Sequence, residues 1–134
     1  MLDCFIGVSS ARRVALTAAQ QPVPSPVQVR ALIDTGASHT CVDPSIIQPL
    51  NLTPSGNVSV HTPTTGGTPA NRDQYDISFV ILHPQQLSPF VRSTMPIMCT
   101  DLLAQGIHAL IGRDILQECL FTYNGATGLF VLAY

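Results

Sequence analysis

The residues best suited to chemistry in this chain are Asp34, Thr35 and Gly36, which follow the largely apolar run 29–33 (VRALI). The run predicts a β-strand, and the triad predicts a tight turn in which glycine relaxes the backbone. A carboxylate at a strand end is partly screened from water, so its proton affinity can be tuned for acid–base chemistry. The alternative is an ordinary surface turn, because so short a motif also arises by chance.

A second segment, late in the chain, also joins an apolar run to polar residues. The stretch 109–111 (ALI) is followed by Gly112, Arg113 and Asp114, which open a short helical pattern. Taken alone, this pattern is a helix start with a solvated charge pair.

The composition indicates one domain, residues 1–134, with apolar surface to cover. The chain has 134 residues, of which 46% are hydrophobic and only 10% are charged, whereas a charged fraction of about 25% is usual. So few charges are unfavourable for a small monomer. We therefore expect part of the apolar surface to lie in an interface between subunits.

Charge and ligand patterns exclude several function classes. The net charge is −2 without a basic run, so nucleic acid is not an expected partner. No apolar stretch approaches the roughly 18 residues of a membrane span, and the N-terminus lacks the layout of a signal peptide. The cysteines and histidines show neither a C-x-x-C pair nor zinc spacing, which predicts free thiols, no metal and no cofactor. We expect a cytoplasmic protein that does not bind membranes.

Short apolar or alternating runs, separated by 11 prolines and 9 glycines, predict a chain rich in β-strands. The strand that carries Asp34 is predicted at 27–33. Strands at 57–62 and 74–82 flank a segment of small residues, and a C-terminal hairpin is centred on Asn124 and Gly125. The remaining strands are predicted at 40–42, 90–99, 107–111, 120–123 and 129–134.

The predicted helices are few and short. No helix is predicted near the N-terminus, where residues 4–8 and 13–18 are interpreted as a β-hairpin and residues 20–26 as a proline-bearing loop. Asp43 and Pro44 supply an N-cap and a first helical residue for a turn that continues to Pro49. The only helix of any length is expected late in the chain, at 113–118.

Together, the two chemistry-bearing segments resemble those of the retropepsin family, the single-lobed aspartic proteases of retroviruses and their cellular and bacterial relatives. In that family an apolar-apolar-Asp-Thr/Ser-Gly-Ala segment is followed, late in the chain, by an apolar-Ile-Gly-Arg-Asp/Asn segment. Here these are residues 32–37 and 110–114. The resemblance implies an all-β, closed-barrel-like fold with one lobe per chain and one short C-terminal helix.

The resemblance also implies a mechanism that uses two carboxylates. Two carboxylates about 3 Å apart cannot both ionise, so they share a proton and can activate water while protonating the peptide. This chain has one Asp-Thr/Ser-Gly segment, so a symmetric homodimer must supply Asp34 twice. The Thr35 hydroxyl would reach across the dimer axis, and Gly36 would let the substrate backbone approach closely.

Residues around the acid take roles from the same resemblance. An extended peptide would be held by main-chain hydrogen bonds, with its side chains in pockets lined by Leu32, Ala37, His39, Cys41, His108 and Leu110. Thr65, Gly66 and Gly67 would form a closing flap, although their composition fits a plain surface loop equally well. Gly112, Arg113 and Asp114 would support the acidic turn.

One position departs from the family pattern. Arg113 would pair with a carboxylate two residues beyond Gly36, where this chain has Ser38. Asp114 or a backbone carbonyl could take the place of that carboxylate. Two functions stay open: an active homodimeric aspartic endopeptidase, favoured by the intact Asp34, and a catalytically weak dimerisation or peptide-binding module, favoured by Ser38.

Overall fold

The structure is a computed structural model that describes residues 1–61, 67–85 and 87–134. Its strands are β1 (Leu2–Val8), β2 (Val27–Ile33), β3 (Cys41–Val42), β4 (Gly56–Val60), β5 (Ala70–Ile81), β6 (Phe90–Cys99), β7 (Ala109–Ile111), β8 (Leu120–Asn124) and β9 (Leu129–Ala133). The α-helices are α1 (Ser10–Ala18), α2 (Pro44–Ile47) and α3 (Arg113–Leu116), and short 3₁₀ turns span Gln48–Leu50 and Leu103–Gln105.

Six strands close into a barrel in the order β1-β2-β7-β3-β6-β5, because β1 pairs with β5 as well as with β2. Strand β4 extends the sheet outward from β5, and β8 and β9 form a separate hairpin. The pairs β2–β7 and β3–β6 are parallel, whereas β3 and β7 are antiparallel. The predicted all-β class with a closed barrel and a short late helix, here α3, is confirmed.

Alternating side chains of the strands fill the barrel. In β2 the side chains of Val29 and Ala31 are buried, whereas Leu32 between Ala31 and Ile33 is 41% exposed. The largest fully buried side chains include Ile6, Ile77, Phe79, Ile97, Ile111 and Ile115. Branched residues of this kind suit the pleated, half-buried surface of a strand. The outward Leu32 is therefore an apolar side chain that the core does not use.

The predicted hairpin of residues 4–8 with 13–18 is wrong, because residues 13–18 lie in helix α1. Ser9 caps this helix, since its Oγ accepts a hydrogen bond from the Arg12 N–H at 3.2 Å. Three alanines, two arginines and one leucine then favour helix over strand. Helix α1 has nine residues and α3 has four. The expectation that the only helix of any length comes late is therefore also wrong.

Predictions of two strands, the C-terminal hairpin and one helix start are confirmed. Strands β2 and β6 occupy the predicted residues, and the predicted C-terminal hairpin is present, with Asn124 as the last residue of β8 and the turn at 125–128. Asp43 caps α2 by accepting a hydrogen bond from the Ser45 N–H at 2.9 Å, and Pro44 is the first helical residue. Among the described residues, no helix is both long enough and apolar enough to cross a membrane.

Candidate active site

Asp34 lies at the end of β2, in a turn held by its own side chain. Its N–H donates to the Ile111 carbonyl at 3.0 Å, which extends the β2–β7 pairing by one residue. Its Oδ1 accepts hydrogen bonds from the N–H groups of Gly36 at 2.9 Å and Ala37 at 3.3 Å. The carboxylate is half-buried, so it is oriented by the backbone and still open to a reactant.

The two residues after Asp34 form the exposed tip of this turn. A β-carbon on Gly36 would lie 3.2 Å from Asp34 Oδ1, closer than most side chains tolerate. Glycine therefore lets the turn close on the carboxylate. Thr35 and Gly36 are exposed, whereas Ala37 is half-buried. The tip thus projects from the barrel, where another molecule or a second copy of the chain can reach it.

Three of the predicted pocket residues form one row across neighbouring strands, which we call the apolar row: Leu32, Leu110 and Cys41. Leu110 is the register partner of Leu32 in β2 and of Cys41 in β3. Burial, and then the charges of Asp114 and Asp34, raise the pKa of the Cys41 thiol to about 11. The thiol is therefore neutral at ordinary pH, and the row presents an uncharged surface close to Asp34.

The two predicted pocket histidines differ in their surroundings. His108 is half-buried, and its Nδ1 accepts a hydrogen bond from the Arg30 N–H at 3.2 Å, so the ring is tied to the backbone of β2. His39 is exposed on the loop after the Asp34 turn, where its Nδ1 lies 3.2 Å from Ser38 Oγ. His108 therefore lies against β2, two residues before Leu110 in the sequence, whereas His39 lies at the surface.

Gly112 packs directly against the loop that follows Asp34. A β-carbon there would lie 2.5 Å from the His39 carbonyl carbon, 2.6 Å from its oxygen and 2.9 Å from the Thr40 nitrogen. Real side chains do not approach backbone atoms this closely, so the crossing of the two segments requires glycine. Next to it, the Arg113 N–H donates to the Ala37 carbonyl at 2.9 Å.

Asp114 holds the same loop through Thr40. Its Oδ2 accepts from the Thr40 N–H at 2.8 Å, and its Oδ1 accepts from the Thr40 hydroxyl at 2.7 Å. The Thr40 Oγ1 also accepts from the Gly112 N–H at 3.2 Å, and Thr40 is fully buried. By contrast, Arg113 is exposed, and within the described residues its side chain makes no ion pair. The loop is therefore joined to the late segment by a carboxylate–threonine contact.

The sequence pattern did not single out Thr40 or the chemical role of Asp43. Asp43 is buried, and its Oδ2 accepts from the N–H groups of Leu102 at 2.7 Å and Leu103 at 2.9 Å. Burial raises the pKa of Asp43, but hydrogen bonds from Leu102, Ser45 and Leu103 outweigh it and lower the pKa to about 2. The helix-cap pattern could locate Asp43, but its partners Leu102 and Leu103 lie 59 and 60 residues away.

The predicted flap falls mostly outside the described residues. Thr65 and Gly66 are not among them, whereas Gly67 is exposed with φ of +84°. Strands β4 and β5 lead to and from this segment and pair in register from Gly56 opposite Gln74 to Val60 opposite Ala70. In residues 1–61, 67–85 and 87–134, no group of three or more His, Cys, Asp or Glu side chains could hold a metal ion.

A barrel that presents an Asp-Thr-Gly turn against an Ile-Gly-Arg-Asp segment is the architecture of an acid protease lobe. Consistent with this, the family model described as aspartyl protease matches residues 14–115. The chain therefore belongs to the retropepsin-like aspartyl protease family. A search of curated proteins gives no significant match.

Proposed function

We propose that the protein is a homodimeric aspartic endopeptidase in which each subunit contributes one Asp34 carboxylate. The observation that carries the proposal is the Asp34 turn. Its carboxylate is oriented by the Gly36 and Ala37 N–H groups, and its backbone is anchored to Ile111. A half-buried acid held in this way beside an uncharged row suits a proton-transfer role at a peptide bond.

The chemistry needs a second carboxylate. One ionised acid takes a proton from water as the water attacks the peptide carbonyl, while the other, protonated, acid stabilises the carbonyl oxygen and supplies the proton. The chain carries one Asp-Thr-Gly segment, so a two-fold symmetric pair of subunits is the simplest source of the second acid. The exposed Thr35 would then contact the partner across the symmetry axis.

The C-terminal hairpin offers a surface for this dimer. One face of the hairpin carries Leu120, Leu129 and Val131, which are 69%, 70% and 62% exposed. Its other face includes Phe121 and Leu132, which are half-buried. Apolar side chains on an exposed two-stranded sheet favour association with a second copy of the same hairpin.

The proposed substrate is a peptide or protein segment in extended conformation. Main-chain hydrogen bonds would hold the peptide, and its side chains would alternate between pockets. The apolar row would line the pocket beside the scissile bond, with Ala37, His39 and His108 farther along the cleft. The flap of residues 65–67 would close over the peptide and exclude water.

The second candidate is a catalytically weak binding module, which Ser38 favours because it leaves Arg113 without the carboxylate expected for it. The two hydrogen bonds between Asp114 and Thr40 weigh against this candidate, since they hold the same loop by another route.

The two candidates are separated by a cleavage assay on a peptide library between pH 3 and pH 8, with a pepstatin-class inhibitor and with Asp34→Asn. An endopeptidase predicts cleavage that the inhibitor blocks and that Asp34→Asn lowers by at least about 1,000-fold. Sedimentation analysis of the variant should still find a dimer. A dimeric parent protein that binds peptides and cuts none would instead identify the binding module, and cleavage by Asp34→Asn at the parent rate would remove Asp34 from the mechanism.

A further inference from the structure

The outer face of the barrel carries a cavity of about 240 Å³ that the proposed catalytic mechanism does not use. We call it the outer pocket. One wall is a row of apolar side chains on three strands, because Phe5 of β1 is the register partner of Val80 in β5, and Val80 is the partner of Val91 in β6. Phe5 and Val80 are half-buried, and Val91 is 56% exposed. The row is therefore apolar surface that the core does not use.

The floor of the outer pocket depends on Gly7. A β-carbon on Gly7 would lie 2.9 Å from Ser78 Oγ and 3.5 Å from Pro26 Cγ, and all three residues line the cavity. Any side chain at position 7 would therefore fill space that is now open to a ligand.

Helix α1 forms the rim of the outer pocket. The Ser10 N–H donates to Thr94 Oγ1 at 3.2 Å, which ties the start of the helix to β6. Arg13 follows on the same helix, is exposed, and alone carries a charge among the described residues that line the cavity. Across residues 1–61, 67–85 and 87–134, the Arg13 guanidinium makes no ion pair. An apolar wall thus lies beside a cation that is available to an anion.

We propose that the outer pocket docks a peptide segment in which a large apolar side chain adjoins a carboxylate. The apolar side chain would pack on Phe5, Val80 and Val91, and the carboxylate would pair with Arg13. A cavity of about 150 Å³ holds benzene, so the outer pocket has room for a phenylalanine ring. Sites that enclose a whole small ligand usually measure about 300–1,000 Å³. The smaller volume and the exposed rim favour one side chain that projects from a larger partner.

The role of this docking rests on the proposed endopeptidase function, since the partner would be a protein substrate held at a second point. Pro26 lines the outer pocket and Asp34 follows strand β2, so the two sites lie at opposite ends of that strand. The separation along β2 is roughly 26 Å. A flexible linker of about 20 residues has a reach of roughly 25 Å. One substrate chain can therefore occupy both the outer pocket and the cleft.

The first test is an NMR titration of the protein with a capped nine-residue peptide of glycine and serine that has phenylalanine followed by glutamate at its centre. Because one apolar anchor and one exposed ion pair contribute little, the dissociation constant should be about 1 mM. Amide signals of Gly7 and Ser78 should shift, while that of Gly36 should not. Alanine in place of the peptide's phenylalanine should weaken binding at least about tenfold.

Two variants of adjacent residues test the charge. Arg13→Glu should weaken binding of the peptide about tenfold, because attraction becomes repulsion. Arg12→Glu is the matched control, since it makes the same charge change where the side chain lines a different cavity, and it should keep the parent affinity. Equal effects of the two variants, or shifts at Gly36 in place of Gly7, would overturn the proposal. So would binding of 3-phenylpropanoate as tight as that of the peptide, which would identify a site for small carboxylates.

The second test is cleavage of a peptide selected from the library, joined to the docking segment by a linker of about 20 glycine and serine residues. Docking adds binding that is equal in the ground and transition states, so it should lower KM about threefold and leave kcat unchanged. The comparison substrate has alanine in place of the docking phenylalanine. Arg13→Glu should remove the difference in KM between the two substrates, and Arg12→Glu should keep it.

The outcomes of the two tests separate this inference from the proposed function. Equal KM values for the two substrates with the parent protein would overturn the docking of substrates and leave the endopeptidase function in place. If the parent cleaves no peptide but binds the nine-residue peptide at Gly7 and Ser78 in an Arg13-dependent way, the docking pocket stands and the endopeptidase function fails.

Discussion

Gly112 and His39 lie so close together that a β-carbon on Gly112 would sit 2.5 Å from the His39 carbonyl carbon. The two residues belong to the two segments that build the site, so the site depends on a contact between backbones. Because backbone atoms of a barrel cannot move aside as a flexible side chain can, any larger residue at position 112 must separate the segments.

The first prediction follows from this contact. Gly112→Ala should lower the free energy of unfolding by about 3 kcal/mol, at the upper end of the usual cost of overpacking, and it should abolish cleavage. Gly56→Ala is the control, because a β-carbon on Gly56 meets no atom within 4 Å, and it should change stability by less than about 0.5 kcal/mol. Urea denaturation of both variants measures the difference. Equal free energies of unfolding for the two variants would show that the two segments can separate without loss of stability.

The second prediction concerns the dimer. Val131→Asp places a charge on the exposed face of the C-terminal hairpin and should shift the protein to monomers, with loss of activity at concentrations where the parent is active. Val14→Asp is the matched control, since Val14 on α1 is 66% exposed and Val131 is 62% exposed. Analytical ultracentrifugation with a parallel activity titration makes the comparison. A Val131→Asp protein that remains dimeric and active would place the interface elsewhere.

The third prediction concerns the proposed flap. Gly67 has φ of +84° and Gly128 has φ of +72°, and a β-carbon on either would meet no atom within 4 Å. Valine at either position should therefore lower the free energy of unfolding by a similar amount, roughly 1–2 kcal/mol, because of backbone strain. Only Gly67→Val should lower kcat/KM for long peptides, by about tenfold, because a flap must open and close over the substrate. Matching kinetics for the two variants would show that residues 65–67 are a surface loop.

The fourth prediction concerns acid stability. Since the pKa of Asp43 falls in the folded protein to about 2, from about 3.9 in an unfolded chain, its ionised form stabilises the fold. That stabilisation is complete above about pH 4 and is lost as the pH falls toward 2. Asp43→Asn lacks this titration, so the parent should lose stability faster than the variant between pH 4 and pH 2. Denaturant midpoints of the parent and the variant across that pH range measure this difference. If the two midpoints fell in parallel with pH, the result would contradict the role of Asp43.

The local parts of this fold follow from the sequence because their causes are local. Alternating and β-branched residues place β2 and β6, and Asp43 with Pro44 begins α2. The Asp34 turn is likewise contained in four adjacent residues, Asp34 to Ala37. The hairpin interpretation of residues 13–18 fails because the Ser9 cap and the alanines and arginines that follow it favour a helix.

The relationships that make the turn into a site are not local. Thr40 and Asp114 are 74 positions apart, and no local sequence pattern at either residue indicates that the two interact. The row of Leu32, Leu110 and Cys41 exists because a parallel and an antiparallel pairing meet at β7. The sequence by itself determined the family, and it predicted which acid and which turn carry the chemistry. Only the tertiary structure decided that the side chain of Asp114, rather than that of Arg113, holds the loop, because closing the barrel brings Thr40 within hydrogen-bonding distance of Asp114.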